Sequence, residues 1–179
     1  MGQPLSATDF TGTTMRPLLR KASAIATCLL GFALAGCDMK NISELQPGTS
    51  TEADVRARFG EPARIWPEAG GASTFEYNRQ PEGHVNYMIT IAADGTMTAL
   101  TQVLTPEHFA RVQPGMDQQA VRRMLGQPAR QVTYDQSRET DWDWKWLDGP
   151  TRAMFFTVTF GPDGKVRRAG SREDVPQGG

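Results

Sequence analysis

The chain is 179 residues long and carries 19 basic and 20 acidic side chains, a nearly neutral balance. This length supports one ordinary domain or two very small ones. The charge balance argues against nucleic acid as a partner, because proteins that bind nucleic acid present strongly basic surfaces. The two histidines, His84 and His108, lie far apart in the sequence without a cysteine beside either of them. We therefore expect neither a metal site nor a cofactor.

Residues 1–36 have the composition of a targeting signal that is removed from the mature protein. Three basic residues precede an apolar stretch at 22–33, which is shorter than the ~20 residues that a membrane-spanning helix needs. The signal would begin most naturally at Met15, so residues 1–14 are interpreted as an upstream extension. The three basic residues are Arg16, Arg20 and Lys21.

The signal ends in Leu34-Ala35-Gly36-Cys37, which resembles the lipobox of bacterial lipoproteins. The thiolate of Cys37 would be the nucleophile that accepts a diacylglyceryl group. Two acyl chains hold a protein stably at a membrane, whereas one chain holds it only marginally. The resemblance therefore predicts a covalent membrane tether at Cys37, with the mature chain facing the periplasm. Cys28 would leave with the signal, so we expect neither a disulfide nor a cysteine nucleophile.

The predicted mature chain has 143 residues, of which 16 are basic and 19 acidic, because three basic residues and Asp9 precede Cys37. Its net charge of −3 strengthens the exclusion of nucleic acid as a partner.

An internal repeat spans most of this mature chain. A Pro-Gly pair, a valine, a glycine and a proline occur twice in the same order, at an offset of 67 residues for the pair and 66 from the valine onward. The chain is therefore divided into a lipid anchor and linker (37–44), a first repeat (45–104), a second repeat (105–172) and a loose tail (173–179). The repeated residues are Pro47, Gly48, Val55, Gly60 and Pro62, then Pro114, Gly115, Val121, Gly126 and Pro128.

Each repeat is predicted to begin with two short helices. In the first repeat Thr51 and Asp54 form a capping-box pattern, and in the second Asp117 is the predicted cap. The glycine and proline that follow each of these helices end it. A shorter helix is predicted to begin at Thr105, and residues 39–45 are given the corresponding place in the first repeat.

The remainder of each repeat alternates apolar and polar residues, which predicts strands. Asp94-Gly95 and Asp163-Gly164 mark hairpins, and short turns between sequential strands require antiparallel pairing. The predicted fold is α+β: two tandem repeats, each with two short helices packed on one face of a three- to four-stranded antiparallel sheet. The strands are predicted at 75–79, 85–92, 96–104, 131–134, 141–147, 153–160 and 166–171.

The Pro-Gly pair before each longer helix, and the glycine and proline after it, resemble the pattern of the SmpA/OmlA (BamE-like) family of small envelope lipoproteins. Residues 112–116 and 125–128 match its Pro-Gly lead and its Gly-x-Pro stop closely, and residues 45–48 and 59–62 match with one inserted residue. The resemblance implies an accessory subunit of the machinery that inserts β-barrel proteins into the outer membrane. That subunit has one such domain, whereas this chain has two. The tandem architecture also resembles the secreted β-lactamase inhibitor protein, which presents a concave sheet to its enzyme.

The residue after the lipidated cysteine bears on which membrane is involved. An aspartate there, Asp38, resembles the signal that holds enteric lipoproteins in the inner membrane. The SmpA/OmlA resemblance implies the outer membrane instead. We favour the outer membrane, because the sorting rule varies between bacterial groups.

Trp142, Trp144 and Trp146 alternate with charged residues, so three indoles share one face of a predicted strand. In one interpretation this face packs under the helices, because a small sheet needs large apolar residues for its core. In the other interpretation the indoles are an exposed binding surface, with Tyr134 or Phe155 nearby. The two interpretations exclude each other.

The alternating charged residues, Asp141, Asp143 and Lys145, are interpreted as a solvated strand face, since no third metal ligand is placed beside the carboxylates. Two arginine pairs are interpreted in the same way as solvent-facing sides of helices. They are Arg56 with Arg58 and Arg122 with Arg123.

The sequence contains no phosphate-binding loop and no nucleophile elbow, and no histidine–acid pairing that the spacing supports as catalytic. His84 is interpreted as a turn residue and His108 as a partly exposed helix residue. We therefore expect a non-enzymatic envelope lipoprotein that acts as an accessory or scaffold factor in outer-membrane β-barrel protein assembly or envelope maintenance. The alternative is a periplasmic protein-binding or inhibitor module that uses a concave surface across both repeats. In either case the partners are envelope proteins, and the chain is attached to the membrane through the lipid on Cys37.

Overall fold

A computed structural model describes residues 40–175 of the chain. The predicted signal, the Met15 start, the lipidated Cys37 and the sorting residue Asp38 lie outside the described residues, as do 176–179.

The described residues form short helices and eight strands. Residues 40–43 are helical, and Ala69–Gly71 is a single 3-10 turn. The longer elements are α1 (Glu52–Phe59), β1 (Arg64–Pro67), β2 (Ser73–Asn78), β3 (Asn86–Ile91), β4 (Met97–Gln102), α2 (Pro106–Phe109), α3 (Gln118–Leu125), β5 (Arg130–Tyr134), β6 (Glu139–Asp148), β7 (Arg152–Phe160) and β8 (Val166–Glu173).

The strands form two separate four-stranded antiparallel sheets, β1-β2-β3-β4 (sheet 1) and β5-β6-β7-β8 (sheet 2). The predicted α+β class is confirmed. Strand β1 was not predicted, because it is only four residues long, ends in a proline and buries only Trp66. The end of β8 was also placed too early, at 171, whereas its last residue is Glu173.

Equivalent backbone bonds in the two halves give the sequence repeat a structural meaning. The amide of Gly48 donates to the carbonyl of Met97 at 2.8 Å, and that of Gly115 donates to Val166 at 2.9 Å. Each bond joins the Pro-Gly lead of a repeat to the first residue of its last strand. Both glycines have positive φ, +81° and +89°, which is costly for any other residue.

The predicted caps of α1 and α3 are present, whereas the Thr105 side chain makes no cap hydrogen bond at the start of α2. Thr51 and Asp54 form the reciprocal capping box at α1, and the Asp117 carboxylate accepts from a backbone amide in the first turn of α3. The two helices end alike, because Gly60 and Gly126 both have φ +78° with ψ of −158° and −172°. This is an extended region that only glycine adopts readily, not the left-handed helical conformation that such stops usually take.

The described residues form two apolar clusters, one between α1 and sheet 1 and one between α2, α3 and sheet 2, and the second also includes residues of β3 and of the segment after β4. In the first cluster Val55 and Phe59 of α1 pack on one face of the sheet, where Phe59 lies against Tyr77 with ring centroids 5.2 Å apart. In the second, Phe109 of α2 stacks on Phe156 of β7 at 4.1 Å and 11°. Aromatic pairs of this kind add about 0.5–1.5 kcal/mol beyond the area that they bury.

The second repeat also packs on the far face of sheet 1. The Asn86 side chain on β3 donates to the carbonyls of Leu125 and Gln127 at 2.9 and 3.1 Å. Glu76 on β2, which is fully buried, accepts from the amide of Gln127 at 2.9 Å and contacts Arg122 at 3.4 Å. Helix α3 therefore lies between the two sheets. This face of sheet 1 is therefore an internal interface between the repeats.

The same interface corrects the interpretation of the second arginine pair. Arg122 and Arg123 do not simply face solvent: Arg123 donates to the Pro67 carbonyl at 3.0 Å and pairs with Glu68 at 2.6 Å. A helix face that is polar in sequence can meet water or a neighbouring repeat, and hydrophobic periodicity does not distinguish these.

A second connection between the repeats uses a side-chain amide in place of a strand. Strand β5 begins at Arg130, opposite Asp143, so the part of β6 that follows Asp143 has no strand beside it on that edge. The Gln80 side chain accepts from the Lys145 amide at 3.0 Å and donates to the Lys145 carbonyl at 2.9 Å. These two bonds continue the ladder for one residue and satisfy backbone groups that would otherwise be open.

Candidate functional site

The structure places all three tryptophans of the β6 stripe in the core. Trp142, Trp144 and Trp146 are 7, 0 and 5% exposed, and they pack under α2 and α3. The Trp144 indole donates to the Gly126 carbonyl at 3.0 Å, so its polar atom is satisfied inside the core. The stripe therefore forms no exposed binding surface, because the helices need this face of the sheet for their own burial.

The opposite side of sheet 2, which we call the outer face, consists of the alternate positions on its four strands. Each described helix packs elsewhere, α1 on sheet 1 and α2 and α3 on the tryptophan side. Tyr134 and Phe155 both lie on the outer face, on the opposite side from the tryptophans with which they were grouped in the sequence. The outer face carries four basic and three acidic side chains among neutral ones. Its members are Arg130, Val132, Tyr134, Glu139, Asp141, Asp143, Lys145, Leu147, Ala153, Phe155, Thr157, Thr159, Arg168, Gly170 and Arg172.

A buried carboxylate lies at the centre of the outer face. The Asp143 side chain is only 2% exposed, and its Oδ2 accepts from both Nε (3.0 Å) and Nη2 of Arg130. Its Oδ1 accepts from the Thr157 hydroxyl at 2.5 Å, and the Arg172 guanidinium lies 3.5 Å from Oδ2. The prediction of a solvated face is wrong for Asp143, because Arg130 from the neighbouring β5 and Arg172 from β8, two strands away, both reach over it.

The same two arginines also lie over one aromatic ring of the outer face. The guanidinium carbon of Arg172 lies 4.6 Å from the centroid of the Phe155 ring, and that of Arg130 lies 5.8 Å from it. Both distances are within the range of a cation–π interaction. The hydrogen bond to Asp143 raises the pKa of Arg130 above its ordinary value, so the guanidinium remains charged. Asp143, Arg130, Arg172 and Phe155 form one connected group, which we call the arginine cluster.

The arginine cluster presents its positive charge outward and its negative charge inward. The side chains of Arg130 and Arg172 are 56 and 51% exposed, whereas that of Asp143 is 2% exposed. Beside the cluster, Arg168 is 64% exposed and pairs with Glu139, which is only 27% exposed. Solvent and any partner therefore meet guanidinium groups first.

Large apolar side chains are exposed at both ends of this face. Tyr134 on β5 is 48% exposed, and Leu147 near the end of β6 is 40% exposed. Elsewhere among the described residues only Ile65 and Val175 are large apolar residues exposed to this degree. Tyrosine and arginine are enriched at the energetic centres of protein interfaces. The sequence could have indicated this face, because its members occur at every second position of β5 to β8.

The two histidines remain separate. His108 lies on α2, with Nδ1 3.0 Å from the Thr105 hydroxyl, and His84 lies between β2 and β3. Burial lowers the pKa of both, assisted by Lys145 at His84 and by Arg111 at His108. Within residues 40–175 no group of three or more His, Cys, Asp and Glu side chains is arranged to hold a metal ion. No helix in this part of the chain is long and apolar enough to cross a membrane.

No protein-family model matches the chain, including any for SmpA/OmlA, and no curated protein is significantly similar to it in sequence. Among solved structures the chain is similar to the DUF4309 family protein YjgB of Bacillus subtilis, with 20% identity, a TM-score of 0.29, and coverage of 73% of this chain and 83% of that one. It is also similar to a Streptococcus mutans protein provisionally named as a β-lactamase inhibitor protein, with 13% identity, a TM-score of 0.29, and coverage of 80 and 96%.

A third similar structure is an extracellular protein with an SCP domain from Bacillus anthracis, at 12% identity and a TM-score of 0.27. The similarity covers 70% of this chain and 43% of that protein. At these identities and TM-scores the three structures carry no argument about what this chain does.

Proposed function

We propose that this chain is a non-enzymatic, membrane-tethered protein-binding module of the bacterial envelope, and that it binds its partner through the outer face of sheet 2. The observation that carries the proposal is the arginine cluster, in which Arg130 and Arg172 both contact the ring of Phe155 and the buried carboxylate of Asp143. This group is larger and more ordered than one exposed ion pair, which would contribute little to stability or binding.

The arrangement of the repeats supports the same surface. One face of sheet 1 is covered by α1 and the other contacts α3, while the tryptophan side of sheet 2 is covered by α2 and α3. Among the described elements, the outer face is therefore the sheet surface left for a partner. The lipobox resemblance at Cys37 supplies the tether in this proposal and keeps the module close to other envelope proteins, which raises their effective concentration.

Two kinds of partner are compatible with this proposal. The SmpA/OmlA resemblance in sequence favours a subunit of the β-barrel assembly machinery, and the resemblance to the β-lactamase inhibitor protein favours a periplasmic enzyme. Both use a protein surface as ligand and neither requires catalysis.

Site-specific photo-crosslinking in native membranes tests the proposal. A photoreactive phenylalanine analogue is placed in the full lipoprotein at Tyr134 or Leu147 on the outer face, or at Ile65 as a control of equal exposure on sheet 1. We expect defined protein adducts from Tyr134 and Leu147 and none from Ile65. Adducts with barrel-assembly subunits would identify an assembly factor, and adducts with a soluble enzyme would identify an inhibitor. Absence of outer-face adducts would refute the proposal.

A further inference from the structure

We propose that the partner contributes an acidic extended segment, whose carboxylates bind Arg130 and Arg172 and whose backbone passes over Gly170. This inference rests on the proposed function and specifies the chemistry of the partner. It commits to a protein segment as the occupant of the outer face.

The exposed positive charge of two arginines favours an acidic ligand. Arg130 and Arg172 are about half exposed, while the carboxylate that they share is buried beneath them. A guanidinium has five N–H donors, and Asp143 takes only two of those of Arg130. The remaining donors suit a carboxylate, which arginine binds with two parallel hydrogen bonds. The outer face as a whole carries a net charge of +1, from four basic and three acidic side chains, whereas the predicted mature chain carries −3.

The second argument is preorganisation. Phe155 lies against both guanidinium groups, and Asp143 restrains both of them from below. A long side chain that is already ordered loses less conformational entropy when it binds. The internal contacts of Arg130 and Arg172 therefore prepare them for a ligand and do not use up their capacity to bind one.

The third argument is Gly170, which lies on β8 between Arg168 and Arg172 on the outer face. Its φ is not in the positive region, and a Cβ added there would meet nothing within 4 Å. Nothing in the described fold therefore requires glycine at this position, although glycine weakens a strand. A glycine inside a strand often marks the close approach of another backbone. The missing side chain leaves a recess between two arginines, into which a partner strand or loop fits.

Anionic lipid is the other source of negative charge near a tethered protein, and the outer face fits it less well. Lipid recognition by basic surfaces uses clusters of four to eight lysines and arginines. Here the four basic groups of the outer face, three arginines and Lys145, are mixed with three carboxylates, Glu139, Asp141 and Asp143. A protein segment can place its acidic groups opposite the arginines alone. An anionic lipid surface would also place negative charge opposite every carboxylate of the face.

The test uses the full lipoprotein in a nonionic detergent and a labelled synthetic peptide of alternating glutamate and threonine, with glutamine replacing glutamate in the control peptide. Binding is measured by fluorescence anisotropy at low and physiological salt. We expect the glutamate peptide to bind, with an affinity that falls as salt rises, and the glutamine peptide not to bind. Arg172→Gln should weaken binding about tenfold, as expected for the loss of one charged contact.

A matched pair of β8 variants separates binding from folding. Gly170→Thr places a side chain on the outer face, and Ala169→Thr places the same side chain on the opposite face of the same strand. We expect both variants to melt at or above the temperature of the unmodified protein, because threonine favours strands. Only Gly170→Thr should lose peptide binding. Equal binding by both variants, or no binding of the glutamate peptide to the unmodified protein, would overturn the proposal.

Reconstituted vesicles provide the remaining comparison. A cysteine at Leu147→Cys, at one end of the outer face, is labelled with a maleimide in vesicles of phosphatidylcholine alone or with added phosphatidylglycerol. We expect equal labelling in both; protection by phosphatidylglycerol would overturn the protein-segment proposal in favour of a membrane surface. If the peptide fails while outer-face crosslinks to proteins persist, the acidic segment is wrong and the proposed function stands. If those crosslinks are also absent, both fail.

Discussion

The side-chain amide of Asn86 on β3 donates to the carbonyl of Leu125, the last residue of α3, at 2.9 Å across 39 positions of sequence. A helix end normally leaves its last carbonyls without partners inside the helix. Here the first repeat satisfies one of them, and a second bond reaches the Gln127 carbonyl at 3.1 Å. The two repeats are therefore joined by a cap that the first repeat supplies to a helix of the second.

This relationship predicts unequal effects at two matched glycines. Gly60→Ala and Gly126→Ala introduce the same backbone strain, about 1–3 kcal/mol, because both glycines have φ +78°. At Gly126 the new Cβ would also lie 2.8 Å from Nδ2 of Asn86, whereas at Gly60 it meets nothing within 4 Å. We expect Gly126→Ala to be the more destabilising in urea denaturation. The losses in free energy of unfolding from Gly126→Ala and from Asn86→Ala should not add in the double variant, because the two side chains would contact each other. Equal losses for Gly60→Ala and Gly126→Ala would contradict the contact between Gly126 and Asn86.

Trp144 tests the assignment of the tryptophan stripe to the core. Its side chain is fully buried, so Trp144→Ala should lower the free energy of unfolding by about 3–5 kcal/mol. Tyr134→Ala on the outer face should change it by less than about 0.5 kcal/mol. Both values come from equilibrium denaturation followed by circular dichroism. A small loss at Trp144 would show that the helices do not pack on this face.

The histidines predict a loss of stability in mild acid. Burial lowers the pKa of His84 below its ordinary value of 6.5, with a further contribution from Lys145, so the unfolded chain takes up a proton first as the pH falls. The contribution to stability is full above pH 6.5 and is lost progressively below it. His108 behaves alike, with burial as the main cause. Between about pH 7 and pH 5.5, the melting temperature of the double variant His84→Gln, His108→Gln should fall less steeply with pH than that of the unmodified protein. An unchanged decline would assign the effect to other groups.

Membrane attachment has its own prediction. Cys37→Ala should abolish incorporation of labelled palmitate and leave the chain outside the outer membrane, because the predicted mature chain has no other cysteine. Asp38→Ser is the matched control, since it retains the acylated residue. Fractionation of the unmodified protein should place it in the outer membrane. Its retention in the inner membrane, with release by Asp38→Ser, would contradict the outer-membrane proposal and weaken the assembly-factor alternative.

Much of the fold follows from local features of the sequence. Gly48 and Gly115 mark the same turn in each repeat, and Thr51 and Asp117 cap the helices that follow. These features depend on residues within a few positions of each other, or on a repeated pattern. For the same reason they predict each repeat separately and say little about how the two repeats pack together.

The arrangement of the repeats and the candidate site were less predictable because both depend on distant residues. Glu76 and Arg122 are far apart in sequence, and nothing local indicates that they meet. Likewise Arg130 and Arg172 converge on Asp143 only after β5 to β8 have paired. Alternation along β6 separates the tryptophans from the aspartates, yet it does not show which side the helices cover.

Thiol protection in native membranes measures the accessibility of the outer face directly, since the only native cysteines are Cys28 and Cys37. A single cysteine is introduced at Leu147 on the outer face or at Ile65 on sheet 1, two positions of similar exposure. Maleimide labelling is then compared between native membranes and purified lipoprotein. We expect Leu147→Cys to be protected in membranes and fully labelled after purification, with Ile65→Cys labelled equally in both. Equal labelling of Leu147→Cys in the two preparations would show that nothing binds the outer face.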